Sequence, residues 1–245
     1  MVRRRKPGGI EQSGGGRRLA VKLRTAKGRK IASTRWLQRQ LNDPYVDEAK
    51  RRGLRSRAVF KLTEIDDKHR ILKPGMKVVD LGAAPGGWSQ VAATRVGSLE
   101  GKGRVIAVDL SAMEPIPGVD ILALDVGAAD AADAIETALA GGRANVVLSD
   151  MAAPATGHRQ TDHLRVVALV EAALDIAEGV LVHGGTFLAK VFQGGAGLEL
   201  GARLKRSFAK VSHVKPKASR AESPEVYVLA TGFRGGRPSH APRCE

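Results

Sequence analysis

The lysine in GGTFLAKVFQG, Lys190, interrupts an apolar run at the point where a central strand should end. A buried ammonium without a partner is costly, so the position needs a counter-charge or a chemical task, with snorkelling or a structural ion pair as the ordinary alternatives. A counter-charge is available. Asp150 closes the apolar run NVVLS, and in a parallel sheet it would lie one strand away, across a shared site. An amine held in a desolvated cleft beside a second cation favours its neutral form, which can accept a proton. A lysine and an aspartate placed this way could remove a proton from a hydroxyl.

The elements that must position them follow from the hydrophobic pattern. From Met76 a β/α alternation runs through strands at residues 77–81, 104–109, 120–124, 145–150 and 186–192, with helical segments between most of them. Such alternation predicts a mostly parallel, doubly wound α/β sheet. Ahead of it, helices are expected at residues 33–42 and 45–53, separated by Asp43-Pro44. A third opens with RSRAVFKL, whose Val59, Leu62 and Ile65 share one face while Lys61 lies off that stripe.

Ligands of doubly wound sheets lie beyond the carboxyl ends of the strands, and the first four strands are expected to end there in Asp80, Asp109, Asp125 and Asp150. A strand running into glycines, VVDLGAAPGGWSQVA, ordinarily signals a nucleotide site. This one lacks both the closing Gly-Lys-Ser/Thr of a phosphate loop and the Gly-x-Gly-x-x-Gly of a dinucleotide fold. Four carboxylates would repel a pyrophosphate. They suit S-adenosylmethionine, which carries a sulfonium and an ammonium and no phosphate. Asp109 follows Gly87 at close to the roughly 20-residue offset at which an acid reaches ribose hydroxyls. Taken singly, each of these residues could equally be an ordinary turn aspartate.

Composition narrows the setting. The chain has 245 residues, 43% hydrophobic, enough for one substantial core, with no apolar segment long enough for a membrane span or a secretory leader. The single cysteine, Cys244, can form no internal disulfide and is poorly placed as a nucleophile, which fits a reducing cytoplasm. Residues 1–36 hold twelve Lys or Arg against Glu11, a net of +11 out of +15, leaving +4 for the remainder. A basic, glycine-rich tail ahead of a mildly basic domain points to a nucleic acid partner before a lipid one. A solubilising extension is the plainer alternative.

In order along the chain, SRAVFKL, VVDLGAAPGGWSQVA, VIAVDL, LSDMA, LAKVFQG and KPKASRAESPEVYVLATG closely resemble the FtsJ-type RNA 2′-O-methyltransferases, over about residues 35–232. The resemblance implies a Rossmann-like class I S-adenosylmethionine-dependent methyltransferase fold, mostly parallel with a final antiparallel strand. It places that family's Lys-Asp-Lys-Glu tetrad on Lys61, Asp150, Lys190 and Glu225, with Lys190 as proton acceptor, and its methyl-donor contacts on Gly86, Trp88, Asp109, Asp125 and Asp150. The implied substrate is an A-loop uridine of 23S rRNA within the large ribosomal subunit. No metal is implied, and a monomer is expected. The expected divisions are a tail at residues 1–34, a methyltransferase domain at 35–233 and a second tail at 234–245. After SDMA this chain departs from the family's usual Pro-Asn with APATG, residues 153–157.

Other classes fit less well. A nicotinamide oxidoreductase would need the dinucleotide glycine pattern, a cytosine C5 methyltransferase a nucleophilic cysteine inside the domain, and an amino-group methyltransferase Asn/Asp-Pro-Pro-Tyr/Phe where this chain has Asp150-Met151-Ala152. An RNA-binding or ribosome-assembly module without catalysis is the remaining alternative. His158, Asp162 and His163 lie together, but surface or capping roles outweigh a metal site there.

Overall fold

The computed structural model describes residues 31–153, 156–193 and 197–235, and the chain divides into two compact units, Met1–Val46 and Asp47–Glu245. The readings made for residues 1–30 and 236–245 lie outside the described residues. The first unit contains α1 (Ile31–Leu41) and the start of α2 (Pro44–Arg51). Asp43 and Pro44 act there as the sequence suggested: the Asp43 carboxylate accepts the Tyr45 N–H at 3.1 Å, while proline occupies the first helical position.

The second unit runs α3 (Ala58–His69), β1 (Lys77–Leu81), α4 (Gly87–Val96), β2 (Arg104–Asp109), β3 (Val119–Ala123), α5 (Ala131–Ala138), β4 (Ala144–Ser149), α6 (Arg159–Val180), β5 (Leu181–Phe192), α7 (Leu198–Ser207), β6 (Phe208–Val214) and β7 (Glu225–Phe233). The seven strands form one sheet in the order β3-β2-β1-β4-β5-β7-β6. β1 pairs in parallel with β2 and β4, β2 with β3, and β4 with β5, whereas β7 runs antiparallel between β5 and β6. The chain winds outward from β1 to β3, then returns to place β4 on the other side of β1. That reversal is the switch point at which such sheets bind ligands.

Residues of alternate parity along each strand pack on opposite faces. Val79, Leu81, Val147, Phe187, Ala189 and Val228 join α5, α6 and α7 in one core. Val78, Val146, Leu148, Leu188, Tyr227 and Leu229 join α3 and α4 in the other. The continuous apolar runs legible in the sequence are what a sheet covered on both faces requires.

Three departures have simple causes. β5 begins at Leu181, ahead of the expected start at residue 186, with Gly184 at φ 81 and a register irregularity between Ala144 and Val146 opposite. β6 shows no hydrophobic alternation, because it is an edge strand with mostly solvated side chains. Arg55 and Arg57 precede α3 instead of opening it. At its other end α3 closes on the left-handed Arg70, while the buried Asp66 accepts the Leu72 N–H at 2.8 Å.

Asp80 is not at the rim. It shares the parity of Val78, is 1% exposed, and accepts a 2.6 Å hydrogen bond from the Ser89 hydroxyl in the first turn of α4. Among the described residues its Oδ1 has no hydrogen-bond partner. Burial raises its pKa from 3.8 to about 7; Ser89 opposes the rise, and the charges of Asp150 and Asp109 add to it. Between pH 4 and 7 the folded protein therefore keeps a proton that the unfolded chain releases, and this group lowers stability as pH rises through that window. Asp80→Asn, which preserves an acceptor for Ser89, should remove that slope. In urea unfolding at pH 4.5 and 7.5, the variant should gain on the parent at the higher pH; a constant difference would contradict the assignment.

Candidate active site

The same parity assembles a cluster of charged side chains on the α3/α4 side of the sheet. Lys190 follows Leu188, Glu225 precedes Tyr227, and Asp150 continues the series Val146, Leu148 one residue beyond β4. Pairing of Ser149 with Ala189 brings Asp150 beside Lys190, and antiparallel pairing sets Lys190 opposite Tyr227 and Phe192 opposite Glu225. Because β7 runs backward, its first residue lies at the rim where the parallel strands end. α3 contributes Lys61.

Asp150 is the junction. Lys190 Nζ donates to its backbone carbonyl at 2.7 Å and lies 3.2 Å from its Oδ1. Lys61 Nζ lies 3.9 Å from Asp150 Oδ2 and 2.8 Å from Glu225 Oε1. Both lysines are buried, 7% and 8% exposed, which is tolerable because two carboxylates neutralise them. Burial works to raise the Glu225 pKa, but Lys61 beside it, with help from Lys190 and Ser219, holds it below the usual carboxylate range. The structure thus brings Lys61, Asp150, Lys190 and Glu225 into one cluster.

A fifth side chain belongs with them. The Tyr227 hydroxyl shares its proton between Asp150 Oδ1 at 2.8 Å and Glu225 Oε1 at 3.1 Å. Burial first, and then these two carboxylates, push its pKa well above the ordinary tyrosine value, so it remains a donor. Its ring lies 5.5 Å from that of Trp88 and 5.8 Å from Lys61 Nζ. It was not among the site residues expected from the sequence. The available signal was a hydroxyl in a fully buried strand, two residues from Glu225.

The loop before β7 is docked on α3. Glu64 accepts the N–H groups of Lys217 at 2.6 Å and Ala218 at 3.1 Å, Arg57 Nη2 donates to the Ala218 carbonyl at 2.5 Å, and Ser219 donates to Glu225 at 2.8 Å. Arg57, Lys61 and Glu64 are spaced to lie along one side of a helix, so a single face of α3 holds both Glu225 and the loop that leads to it.

Next to the cluster a cleft of about 470 Å³ spans the switch point. Its lining comes from Gly82 and Ala84 after β1, residues 109–111 at the end of β2, residues 124–127 after β3, residues 150–152 after β4, and two α6 residues. Asp109, Asp125 and Asp150 line it, and among the described residues no lysine or arginine does. Gly82 is required here, since at φ 69 a Cβ would collide with the Met151 side chain. The turn-aspartate reading also holds in part: Asp109 accepts the N–H groups of Ala84 at 2.9 Å and Ser111 at 2.7 Å, and Asp125 that of Gly127 at 2.9 Å. Each carboxylate keeps lone pairs for a ligand hydroxyl or ammonium.

Gly86 caps the N-terminus of α4 and Trp88 lies in its first turn, both outside the lining of that cleft. The Trp88 indole is buried and donates to the Ala58 carbonyl at 2.8 Å, leaving the backbone as what the residue could offer a ligand. Asp162 spends its carboxylate on the N–H groups of Thr156 and Gly157 in the turn ahead of α6. Among the described residues no His, Cys, Asp or Glu group is arranged to hold a metal ion, and no helix is long and apolar enough to cross a membrane.

A mostly parallel sheet with an acidic cleft at its switch point and a lysine-carboxylate cluster beside it is the architecture of a methyltransferase. Residues 54–233 match the FtsJ-like methyltransferase family, and the chain belongs to that family. It is 60% identical to the ribosomal RNA large subunit methyltransferase E of Xanthobacter autotrophicus over 90% of this chain and 86% of that one. It is 58% identical to the protein of the same name from Paramagnetospirillum magneticum, over 93% of each. The crystal structure of a ribosomal RNA methyltransferase from Plasmodium falciparum superposes with a TM-score of 0.66 at 30% identity, covering 74% of this chain and all of that one.

Tyr227→Phe keeps the ring and removes the shared proton. Turnover should fall while affinity for S-adenosylhomocysteine, measured by calorimetry, stays within about twofold, because the hydroxyl meets Asp150 and Glu225 and lines no part of the cleft. A variant with parental turnover would show that the cluster does not need this tie.

Proposed function

We propose that this chain transfers a methyl group from S-adenosylmethionine to the ribose 2′-hydroxyl of an A-loop uridine in 23S rRNA of the large ribosomal subunit. The observation that carries the reading is the junction at Asp150, which both lines the acidic cleft and holds Lys190. Membership in the family and the names borne by relatives about 60% identical support the substrate class.

The cleft fits the donor. Three carboxylates and, among the described residues, no cation in the lining suit a ligand with a sulfonium and an ammonium and without phosphate. Asp109 and Asp125 would accept hydroxyl or amine protons of the adenosine, and the N-terminus of α4 at Gly86 and Trp88 would offer backbone contacts. Bound there, S-adenosylmethionine supplies a methyl group on a good leaving group.

The chain must supply position and proton removal for a weak nucleophile. As the new bond forms from the 2′-oxygen to the methyl carbon and the carbon-sulfur bond breaks, Lys190 Nζ takes the hydroxyl proton. Asp150 orients Lys190 through its carbonyl and carboxylate. Lys61 and Glu225 place the ribose and keep the cluster neutral, and Tyr227 holds the two carboxylates together. Residues 35–233 form the methyltransferase domain in this reading, and the basic residues 1–34 add affinity for phosphates without reading bases. The protein would work in the cytoplasm as a monomer.

Two variants separate the roles. Lys190→Ala should lose at least a hundredfold in turnover, the low end of roughly 10²- to 10⁴-fold for general base removal, with donor affinity and fold retained. Asp109→Ala should weaken S-adenosylhomocysteine binding by about 1–3 kcal/mol. Lys190→Ala retaining more than a tenth of parental turnover would exclude it as the base, and an unchanged dissociation constant for Asp109→Ala would misplace the donor.

A further inference from the structure

Arg55 precedes α3 and lines neither the cleft nor the tetrad, yet its side chain is more constrained than a surface cation needs to be. Nη1 donates to the carbonyls of Pro85 at 3.1 Å and Glu114 at 2.8 Å, and Nη2 donates to that of Pro115 at 2.7 Å. Its backbone N–H donates to the Gln90 side chain of α4 at 2.9 Å. The packing around it is close. A Cβ on Gly86, at φ 101, would collide with Ile116 and come within 3.3 Å of Arg55 Cδ.

These contacts join two loops. The loop after β1 supplies Gly82 and Ala84 to the acidic cleft, and the segment after β2 supplies Leu110 and Ser111. At the base of the cleft the first loop is tied to the end of β2 by the Gly82 and Ala83 N–H groups on the Val108 carbonyl and by the Asp109 carboxylate on the Ala84 N–H. Arg55 ties that loop to a point farther along the segment after β2, joining Pro85 to Glu114-Pro115. The bonds at the base hold the first loop to the strand, and only the clamp farther out sets its spacing from residues 114–115.

The geometry points to Arg55 as a positioning residue for the methyl donor: its guanidinium sets the width of the acidic cleft by clamping the loops on either side of it, and does not serve as a contact to RNA phosphate. The inference rests on the donor reading of that cleft. It explains why a planar fork stands here: three carbonyls in different directions suit a guanidinium, and a lysine ammonium on its flexible stem cannot reproduce the arrangement. It also links donor and acceptor sites, since Arg55 stands three residues ahead of the helix that carries Lys61.

The test uses the full chain, S-adenosylhomocysteine as calorimetric probe and unmethylated large ribosomal subunits as substrate. Arg55→Lys and Arg55→Gln should each raise the dissociation constant and the donor KM on the order of tenfold, leaving kcat at saturating donor and the RNA KM within about twofold. Amide exchange at residues 110–118 should quicken in both variants without donor, a readout that survives if one of them is poorly stable. Donor constants and exchange equal to the parent's would overturn the role, as would a rise in RNA KM alone, which would make Arg55 a phosphate contact. Failure of the parent itself to bind the probe would instead overturn the donor reading.

Discussion

The burial of two lysines at the end of a sheet is the constraint around which the site is organised. Neither ammonium could stay there alone, and Asp150 serves both: Lys190 takes its carbonyl and one carboxylate oxygen, while Lys61 approaches the other. Removing that carboxylate would leave two buried cations facing Glu225 alone, a far larger penalty than the loss of one surface ion pair. The same residue lines the cleft proposed for the donor, so charge balance and substrate geometry depend on one side chain. Its place is set by strand pairing, since the β4–β5 register decides that Asp150 meets Lys190.

Parity in the sheet extends this logic to the rest of the cluster. A strand residue belongs to one face or the other, and Lys190, Tyr227, Glu225 and Asp150 all fall on the face covered by α3 and α4. The antiparallel direction of β7 then brings Glu225 to the rim instead of the base. α3 completes the arrangement by holding the loop before β7 through Arg57 and Glu64 while Lys61 reaches into the site. A shift of one residue in β5 or β7 would turn these groups into the opposite core, which gives strong selection of a single register.

The fold was largely legible because β1, β2 and β4 are continuous apolar runs between glycine-rich turns, the signature of a buried parallel strand. Lys190 and Asp150 stood out as charges ending such runs. Lys61 and Glu225 did not, since a lysine on a helix and a glutamate before a strand are common; resemblance to a family placed them, and only tertiary packing brings them within 2.8 Å of each other. Tyr227 was hidden by its apolar neighbours. Asp80 was expected at the rim with the other acids, but it lies inside β1 with the parity of Val78, and its side chain turns to Ser89. β6 and Arg55 were illegible for a related reason: an exposed edge strand has no alternation, and a clamp on backbone carbonyls leaves no side-chain partner to recognise.

The most direct test of the account maps ribose 2′-O-methylation across cellular RNA in a strain lacking this chain, complemented with the parent or with Asp150→Ala. Loss of methylation at one A-loop uridine of 23S rRNA, restored by the parent and not by the variant, is the predicted result. Loss confined to transfer RNA, or full restoration by Asp150→Ala, would contradict it.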